Sequence, residues 1–385
     1  MNYQLMSENV ISIEIGSRQM NIAKRLEKYC KLPALAGFEE PMIDALYSDL
    51  KPFCDSIDVD ILGNVIGKIN GTNPGSSNLM IFAHIDSIGM IIKSIDENGY
   101  LRMERLGGVP EKVLPAKTVV VRRKNGAHVT GVIGTTSHHF TAPADKYVVT
   151  PITELFIDIG AKNLAEVLEL GIDIGSPVLY EPSFRELLNG RVSGTSIDDR
   201  GGCAVLVEVA QRLKVSPPKA DIFIVGSVQE EFNLRGAMVA AQKILPTAAI
   251  SIDLSVSCDT PDLSRKSSLG LGLGPVLGTM TFHGRGTLNG LIPHPKMLDL
   301  FEAASKSQNI KTQKHASLGM LTDASYVQLV GGGVACLDAG WATRYTHSGV
   351  EVCQVSDLEQ LATLVTEVAQ EFSSNFDFSR NPTNS

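Results

Sequence analysis

The sequence lacks the cysteine patterns that cross-link small secreted domains or bind zinc through sulfur. Its six cysteines are scattered over 385 residues, and no two of them are spaced as CxxC. A chain with 43% hydrophobic residues can form a core without cross-links. We therefore expect reduced, mostly buried thiols, with neither a disulfide framework nor a thiolate zinc site.

Long apolar runs and an excess of positive charge are also missing. No stretch approaches the roughly 20 apolar residues that span a membrane, and residues 1–17 lack the basic start and apolar run of a signal peptide. The net charge of −8 argues against a nucleic-acid-binding surface. These absences predict a cytoplasmic protein with neither a membrane nor a nucleic acid as partner.

Several common catalytic signatures do not occur. The chain contains no HExxH, no Walker loop and no GxSxG, which excludes the zincin, P-loop and nucleophile-elbow classes. The glycine-rich segment Leu269–Gly274 lacks the strand-then-helix context of a dinucleotide site. We expect it to form a strand edge or a turn.

Most of the chain alternates helical patterns with short apolar runs, which are typical of strands buried in an α/β sheet. The predicted strands lie at residues 79–83, 221–228, 248–254 and 333–338, and residues 57–69 predict a hairpin that turns at Gly63-Asn64. The predicted helices cover residues 22–29, 42–50, 200–213, 235–244, 296–308 and 357–372, with Ser356 capping the last. The resulting fold class is α/β, a mixed sheet with helices on both faces.

Residues 89–190 differ from the rest, because helical patterns are rare and glycines and prolines are frequent. Thr118–Val121 and Val129–Ile133 flank Asn125-Gly126, a strong hairpin signal, and one short helix is predicted at residues 163–170. We predict a β-barrel-like domain at 89–190, inserted into a discontinuous α/β domain at 18–88 and 191–373. Residues 1–17 and 374–385 are expected to be flexible termini.

His84 and Asp86 follow the apolar run at residues 79–83. Side chains two positions apart on a strand point to the same side. Asp86 can therefore accept the second N–H of the His84 imidazole, as a carboxylate beside a metal-bound histidine usually does. A buried His–Asp hydrogen bond without a metal explains the same spacing.

Two further acidic pairs lie where predicted strands end or helices begin. Asp198 and Asp199 precede a helix, so one carboxylate can project into a cleft at the end of the sheet, although Asp199 also suits an N-cap. Glu230 and Glu231 end a strand, and both reach one site only if the backbone turns there. One would then bind a metal and the other would act as a general base, unless the pair is simply exposed.

Asp253 and His347 complete the set of candidates. Asp253 ends an apolar strand and needs a partner such as a cation, because burying a lone carboxylate is costly. His347 lies in the segment RYTHS, where a surface-loop role is the alternative. Two adjacent divalent cations require a bridging carboxylate, a histidine and a carboxylate on each side, and a free carboxylate for proton transfer. The remaining histidines are expected to be core or surface residues.

The ordered segments AHID, IDDRGGCAVLVE, VQEEFNLRGA, SIDLSVSCDTPD, LTDAS and RYTHS resemble those of the tetrahedral aminopeptidases. These are the glutamyl and deblocking aminopeptidases, family forty-two of the metallopeptidases, some of which are labelled endoglucanases. The resemblance runs from about residue 21 to 372. It implies an α/β metallopeptidase domain, with an inserted β-barrel-like domain for oligomerisation.

The resemblance also implies roles for individual residues. Asp198 would bridge two cations, zinc or cobalt, in each subunit. His84 and Asp253 would complete one site, and Glu231 and His347 the other. Glu230 would be the general base and Asp86 would orient His84, in an enzyme that removes N-terminal residues from peptides. Such subunits assemble into dimers or tetrahedral dodecamers.

Three segments of the chain differ from the pattern of this family. Ser87 stands where an acidic residue is usual, Leu321 stands where Gly is usual in Gly-Thr-Asp, and residues 340–343 replace an Ile-Pro type sequence. We expect these differences to lie near the substrate pocket and to affect specificity rather than chemistry. A metal-dependent carboxypeptidase or deacylase, a glycosidase and a non-catalytic homologue are the alternatives.

Overall fold

The computed structural model describes residues 20–73, 75, 77–284, 289–373 and 376–380. Residues 1–17 and most of the segment 374–385, both expected to be flexible, lie outside the described residues. Within the tail, residues 376–380 have no regular secondary structure, and the rings of Phe376 and Phe378 pack on Phe372. The expected flexibility of the termini stays a prediction.

Helices and strands alternate along the described chain. The helices are α1 (Ile22–Cys30), α2 (Glu40–Leu50), α3 (Leu164–Glu169), α4 (Ile197–Val215), α5 (Gly236–Ile244), α6 (Pro295–Ser307), α7 (Ala324–Val327) and α8 (Val355–Glu371). The strands are β1 (Ser56–Val59), β2 (Val65–Ile69), β3 (Asn78–His84), β4 (Gly89–Ile95), β5 (Leu101–Leu106), β6 (Thr118–Arg122), β7 (His128–Ile133), β8 (Ile157–Asp158), β9 (Pro177–Tyr180), β10 (Phe184–Glu186), β11 (Arg191–Gly194), β12 (Asp221–Ser227), β13 (Ala248–Ile252), β14 (Ser255–Val256), β15 (Val276–Phe282), β16 (Gly290–Leu291), β17 (Gln313–Leu318), β18 (Ala335–Gly340), β19 (Ala342–Arg344) and β20 (Glu351–Gln354).

A mixed sheet forms the centre of the larger part of the molecule. Its strand order is β1-β2-β12-β3-β13-β18-β15-β16, with β17 paired to β15, and the central strands β12, β3, β13 and β18 are parallel. These central strands are apolar on both faces because helices cover both sides of the sheet. The predicted mixed sheet with helices on both faces is therefore confirmed.

Alternate side chains of β3 pack against the two layers of helices on opposite faces of the sheet. Leu79 and Ile81 belong to the core that faces α1, α2, α4, α6 and α8, whereas Met80 and Phe82 belong to the smaller core under α5 and α7. A continuous apolar run is thus what a strand in this position requires. The run nevertheless ends in His84, which places a polar side chain at the edge of the sheet.

A closed six-stranded barrel follows β3 in the chain. Its strand order is β4-β5-β8-β7-β6-β9, and alternate residues such as Val119 and Val121 of β6 fill its interior. The hairpin between β6 and β7 turns at Gly126, whose φ of 85° suits a glycine. The predicted barrel is therefore confirmed, while the domain boundaries at residues 89 and 190 stay a prediction.

A second, five-stranded sheet was not predicted from the sequence. Its order is β10-β11-β20-β19-β14, and its strands are only two to four residues long. Such short segments carry too few residues for a clear apolar alternation. The sheet holds both ends of the loop at residues 345–350, which contains His347.

The predicted cap of the last helix is wrong. Helix α8 begins at Val355, so Ser356 lies inside its first turn, and no side chain caps it. The carboxylate of Asp357 instead accepts the backbone N–H groups of Gly272 and Gly274. The glycine-rich segment is therefore a turn bound to α8, in agreement with the expected turn.

None of the helices in the described part of the chain is long and apolar enough to cross a bilayer.

Candidate metal centre

Three of the candidate segments meet because their strands are parallel neighbours. His84 is the last residue of β3, Glu230 and Glu231 follow β12, and Asp253 follows β13. The strands lie in the order β12-β3-β13, so their carboxyl ends open on one edge of the sheet. Ligands of open α/β sheets bind at this edge.

The other two candidates reach the same edge from elsewhere. Asp198 lies in the first turn of α4, where its φ and ψ of −74° and 102° are not yet helical, and its peptide bond to Asp199 is cis. His347 lies in the loop between β19 and β20. The Nδ1 atom of His347 is 2.9 Å from the carbonyl oxygen of Gly108, which follows the barrel strand β5.

The carboxylate of Asp198 lies between two imidazoles. Its Oδ1 is 3.0 Å from Nε2 of His84, and its Oδ2 is 3.4 Å from Nε2 of His347. Glu231 Oε1 is 3.7 Å from the same His347 nitrogen. One carboxylate oxygen thus faces each histidine, which is the arrangement that a bridging ligand needs.

Three overlapping groups of side chains present atoms close enough to hold a metal ion. Within each group the potential ligand atoms lie within 4.8 Å of one another. The groups are Asp198, Glu231 and His347; His84, Glu230 and Glu231; and His84, Asp199 and Asp253. The structure therefore brings together all six residues proposed as ligands or general base, and it adds Asp199.

The carboxylate of Asp199 is largely occupied by backbone groups. It accepts the N–H of His84 at 3.1 Å and the N–H of Gly202 at 3.0 Å. The second bond spans three residues, as the bond of an N-cap carboxylate does. A Cβ at Gly202 would lie 2.4 Å from an oxygen of Asp199, so this contact requires glycine.

Burial and mutual repulsion perturb the acidic groups of the centre. Burial, together with neighbouring carboxylates, outweighs the nearby histidines and raises the pKa of Glu230 and Asp253 well above their usual values and that of Glu231 to about 7. Burial also acts on Asp198, but the imidazoles of His347 and His84 outweigh it and hold its pKa below the usual range. These buried carboxylate oxygens and the two imidazoles are the kinds of ligand that bind divalent cations such as zinc.

The histidines respond in the opposite direction. Burial alone would lower the pKa of His347, but the charges of Glu231 and Asp198 raise it to about 11. For His84, hydrogen bonds to Asp198 and Asp86 likewise outweigh burial and raise the pKa. The acidic surroundings thus favour positive charge at both positions, which a bound cation also supplies.

Asp86 has different main partners from those expected. Its Oδ1 accepts the N–H of Glu230 and its Oδ2 accepts the N–H of Glu231, both at 3.0 Å. Nδ1 of His84 is 3.5 Å from Asp86 Oδ1 and 3.2 Å from the Asp86 carbonyl oxygen. Asp86 therefore holds the turn that carries both glutamates, a turn that starts at Gln229 with a positive φ of 56°. Its orientation of His84 stays a prediction.

Glu351 was not predicted from the sequence. Like Asp86, it holds two candidate segments together through their backbone N–H groups. Its Oε2 accepts the N–H of Asp198 at 3.0 Å, and its Oε1 accepts the N–H of His347 at 2.8 Å. The side chain is buried, and burial raises its pKa to about 8. An acid four residues after His347 was visible in the sequence, but nothing in that spacing pointed to Asp198.

Two other residues contribute to the centre without having been predicted. The hydroxyl of Thr346 donates to Asp198 Oδ2 at 3.2 Å. The carboxylate of Asp323 is buried and accepts the hydroxyl of Ser227, the residue next to His84 in the sheet. Their sequence signal was only their place in the segments RYTHS and LTDAS.

A cleft of about 570 Å³ opens over the centre. Leu321 lines it, as expected for a departure that affects specificity. Ser87 donates to the carbonyl oxygen of Ala34 instead, and Trp341 is fully buried against Gly201, so neither is part of the cleft wall. His283, expected to be a core or surface residue, also lines the cleft.

The sequence and the fold are both similar to those of known aminopeptidases. The model of the M42 glutamyl aminopeptidase family matches residues 63–364. The lysyl aminopeptidase of Pyrococcus furiosus is 32% identical over 349 residues, which cover 90% of this chain and 96% of that protein. An aminopeptidase of the archaeon Desulfurococcus kamchatkensis superposes with a TM-score of 0.86 at 32% identity, over 92% of this chain and 95% of that one.

A third protein is informative about assembly. The TET1 peptidase of Pyrococcus horikoshii, which can assemble into a tetrahedron or a large octahedral shell, superposes with a TM-score of 0.80 at 29% identity. The match covers 91% of this chain and 100% of that one.

Replacing Glu351 by glutamine is expected to lower the affinity for divalent cations by about 10- to 100-fold. A glutamine side chain can accept only one of the two N–H groups that Glu351 holds, because its amide nitrogen is a donor. Competition for zinc with a chromogenic chelator measures the affinity, and circular dichroism checks the fold.

Glu371→Gln is the matched control, because Glu371 is exposed and pairs with Lys219 at the surface, away from the centre. It should bind zinc as the unmodified protein does. Unchanged zinc affinity in a folded Glu351→Gln variant would show that Glu351 does not position the ligands.

Proposed function

Since the chain belongs to the M42 glutamyl aminopeptidase family, whose members are metal-dependent peptide hydrolases, we propose that it removes N-terminal residues from peptides at a two-metal centre. The position of Asp198 between His84 and His347 is the observation that carries this proposal. A single carboxylate with one oxygen toward each imidazole can join two cations.

The side chains that would hold the cations are those of the proposed centre. Asp198 would be shared by both cations, His84 and Asp253 would hold one, and Glu231 and His347 would hold the other. The grouping of Asp198 with Glu231 and His347, and of His84 with Asp253, supports this assignment. Zinc or cobalt suits these nitrogen and oxygen donors. When bound, the cations would polarise the scissile carbonyl group, lower the pKa of the attacking water and stabilise the negative charge that develops on the carbonyl oxygen.

The residues of the chain supply positioning and proton transfer. Glu230 accepts a proton from the attacking water and returns it to the leaving amine. The hydrogen bond from its backbone N–H to Asp86 supports this role, because it helps to hold the turn that carries Glu230 at the cleft. Glu351 and Asp86 hold the ligand segments, so the centre can keep its geometry through turnover.

Hydrolysis of aminoacyl substrates tests the proposed activity. The protein reconstituted with zinc or cobalt is expected to cleave dipeptides that have a free amino group and to leave their N-acylated counterparts intact. A chelator should abolish cleavage, and added metal should restore it. Release of products is followed by liquid chromatography.

Three outcomes would contradict the proposal. Preferred cleavage of N-acylated dipeptides would indicate a carboxypeptidase or deacylase, and chelator-resistant cleavage of cellulose would indicate a glycosidase. Absence of hydrolysis over a wide range of aminoacyl substrates with zinc, cobalt and manganese would instead favour a non-catalytic homologue.

Glu230→Gln is expected to reduce kcat by at least about 10²-fold while leaving the metal content unchanged. The amide cannot take a proton from water, but it preserves the size of the side chain. Elemental analysis gives the number of bound ions, and Glu231→Gln serves as the contrast because it removes a proposed ligand. Loss of both ions from Glu230→Gln would place Glu230 among the ligands.

We also propose that the chain self-associates through the segment between β7 and β8. This segment exposes three large apolar side chains, those of Phe140 (86% exposed), Tyr147 (95%) and Val148 (64%). Exposed apolar patches often mark protein–protein contacts, because contact with water is unfavourable for apolar surface. The TET1 peptidase, which assembles into a tetrahedron or a large octahedral shell and has been solved as a dodecamer, supports self-association, and a dimer or a tetrahedral dodecamer is the assembly that we propose.

Tyr147→Asp combined with Phe140→Asp is expected to reduce the native mass to that of a smaller species. Light scattering after gel filtration measures the mass. Val215→Asp is the control, because Val215 is 83% exposed but lies at the end of α4. An unchanged mass of the double variant would exclude this segment from the subunit contact.

A further inference from the structure

The wall of the cleft beyond the metal centre is mainly apolar. It is formed by Pro110, Leu234, Leu254, Val256, Met320 and Leu321. Leu254 directly follows Asp253, so the apolar surface begins beside a proposed metal ligand. This wall therefore lies beside the position that the carbonyl group of a substrate residue would occupy at the centre.

The carboxylates in the described lining of the cleft all belong to the centre. Among the described residues, the lining contains no lysine or arginine, and its acidic groups are Asp198, Glu230, Glu231 and Asp253. Within the described lining, an acidic substrate side chain would meet no lysine or arginine, and His283 is the one histidine of this lining outside the centre. A basic side chain would find only carboxylates already engaged with metal or with proton transfer. Burying either charge without a partner is costly.

Leu321 lines the cleft and directly precedes Thr322 and Asp323. Thr322 and Asp323 are buried and hold fixed partners, Asp338 and Ser227. The backbone before them is thereby held in place, so the Leu321 side chain occupies part of the cleft that a glycine would leave open.

From this wall we infer that the cleft selects peptides whose first side chain is apolar and uncharged, with Leu321 and Val256 as specificity-determining residues. The inference rests on the proposed aminopeptidase function. It separates this chain from enzymes that are specific for glutamyl or lysyl residues, whose substrates carry a charge that needs a partner. Leu321 also limits the size of the side chain, so leucine and methionine fit better than phenylalanine.

A panel of aminoacyl p-nitroanilides tests the selectivity on the full-length, metal-reconstituted protein. The value of kcat/KM for leucyl and methionyl substrates is expected to exceed that for glutamyl and lysyl substrates by about tenfold or more. Calorimetric titration with free leucine, glutamate and lysine, the products of the reaction, gives a readout that does not depend on turnover. Leucine should bind most tightly.

Two variants locate the selectivity in the wall. Val256→Lys supplies a cation and is expected to raise the glutamyl-to-leucyl ratio of kcat/KM by about tenfold, while Leu321→Gly should raise the phenylalanyl-to-leucyl ratio. Val215→Lys is the matched control, since Val215 lies at the exposed end of α4 and should leave both ratios unchanged. If Val256→Lys fails to fold, Leu321→Gly still tests the wall, because it only removes atoms.

The outcomes distinguish this inference from the function on which it rests. Cleavage of glutamyl or lysyl substrates as fast as leucyl ones, or tighter binding of glutamate or lysine than of leucine, would overturn the selectivity and leave the aminopeptidase activity standing. Unchanged substrate ratios in both wall variants would overturn the roles of Leu321 and Val256. If no substrate is cleaved and leucine does not bind, the proposed function and the inference fall together.

Discussion

The structure depends on the burial of many carboxylates at one edge of a parallel sheet. Like charges this close repel one another, and their removal from water adds to the cost. The raised pKa values of Glu230, Glu231 and Asp253 are the direct expression of that cost. Bound divalent cations would offset the negative charge of these carboxylates. The folded chain already places the carboxylates close enough together to bind a cation.

Backbone N–H groups stabilise the carboxylates that do not face the centre directly. Asp86 holds the turn of Glu230 and Glu231, and Glu351 holds the segments of Asp198 and His347. Each of these carboxylates accepts two N–H groups, so its own charge is partly neutralised while two ligand-bearing segments are joined. In the described part of the chain, no lysine or arginine forms a salt bridge or a hydrogen bond with either of these two carboxylates.

The barrel and the small second sheet complete the site from the opposite side. Gly108, at the end of a barrel strand, contacts His347 through its carbonyl oxygen, and Gly108 and Pro110 line the cleft. The barrel therefore has a part in shaping the substrate pocket as well as an exposed apolar segment of its own. The segment that follows β5 of the barrel thus lies beside the site at the end of β3.

The sequence by itself determined the central strands, the main helices and the barrel, because apolar periodicity directly reflects which faces are buried. It also identified the side chains of the candidate centre, since few residue types serve as ligands and they stand where predicted elements end. Only the tertiary structure decided which atoms meet. Asp198 and Glu351 are 153 positions apart, and no local spacing encodes their hydrogen bond. The same holds for three other features: the hydrogen bonds from Glu230 and Glu231 to Asp86, the small second sheet, and the position of Leu321 in the cleft wall. Each depends on segments that are distant in the sequence and meet only in the folded protein.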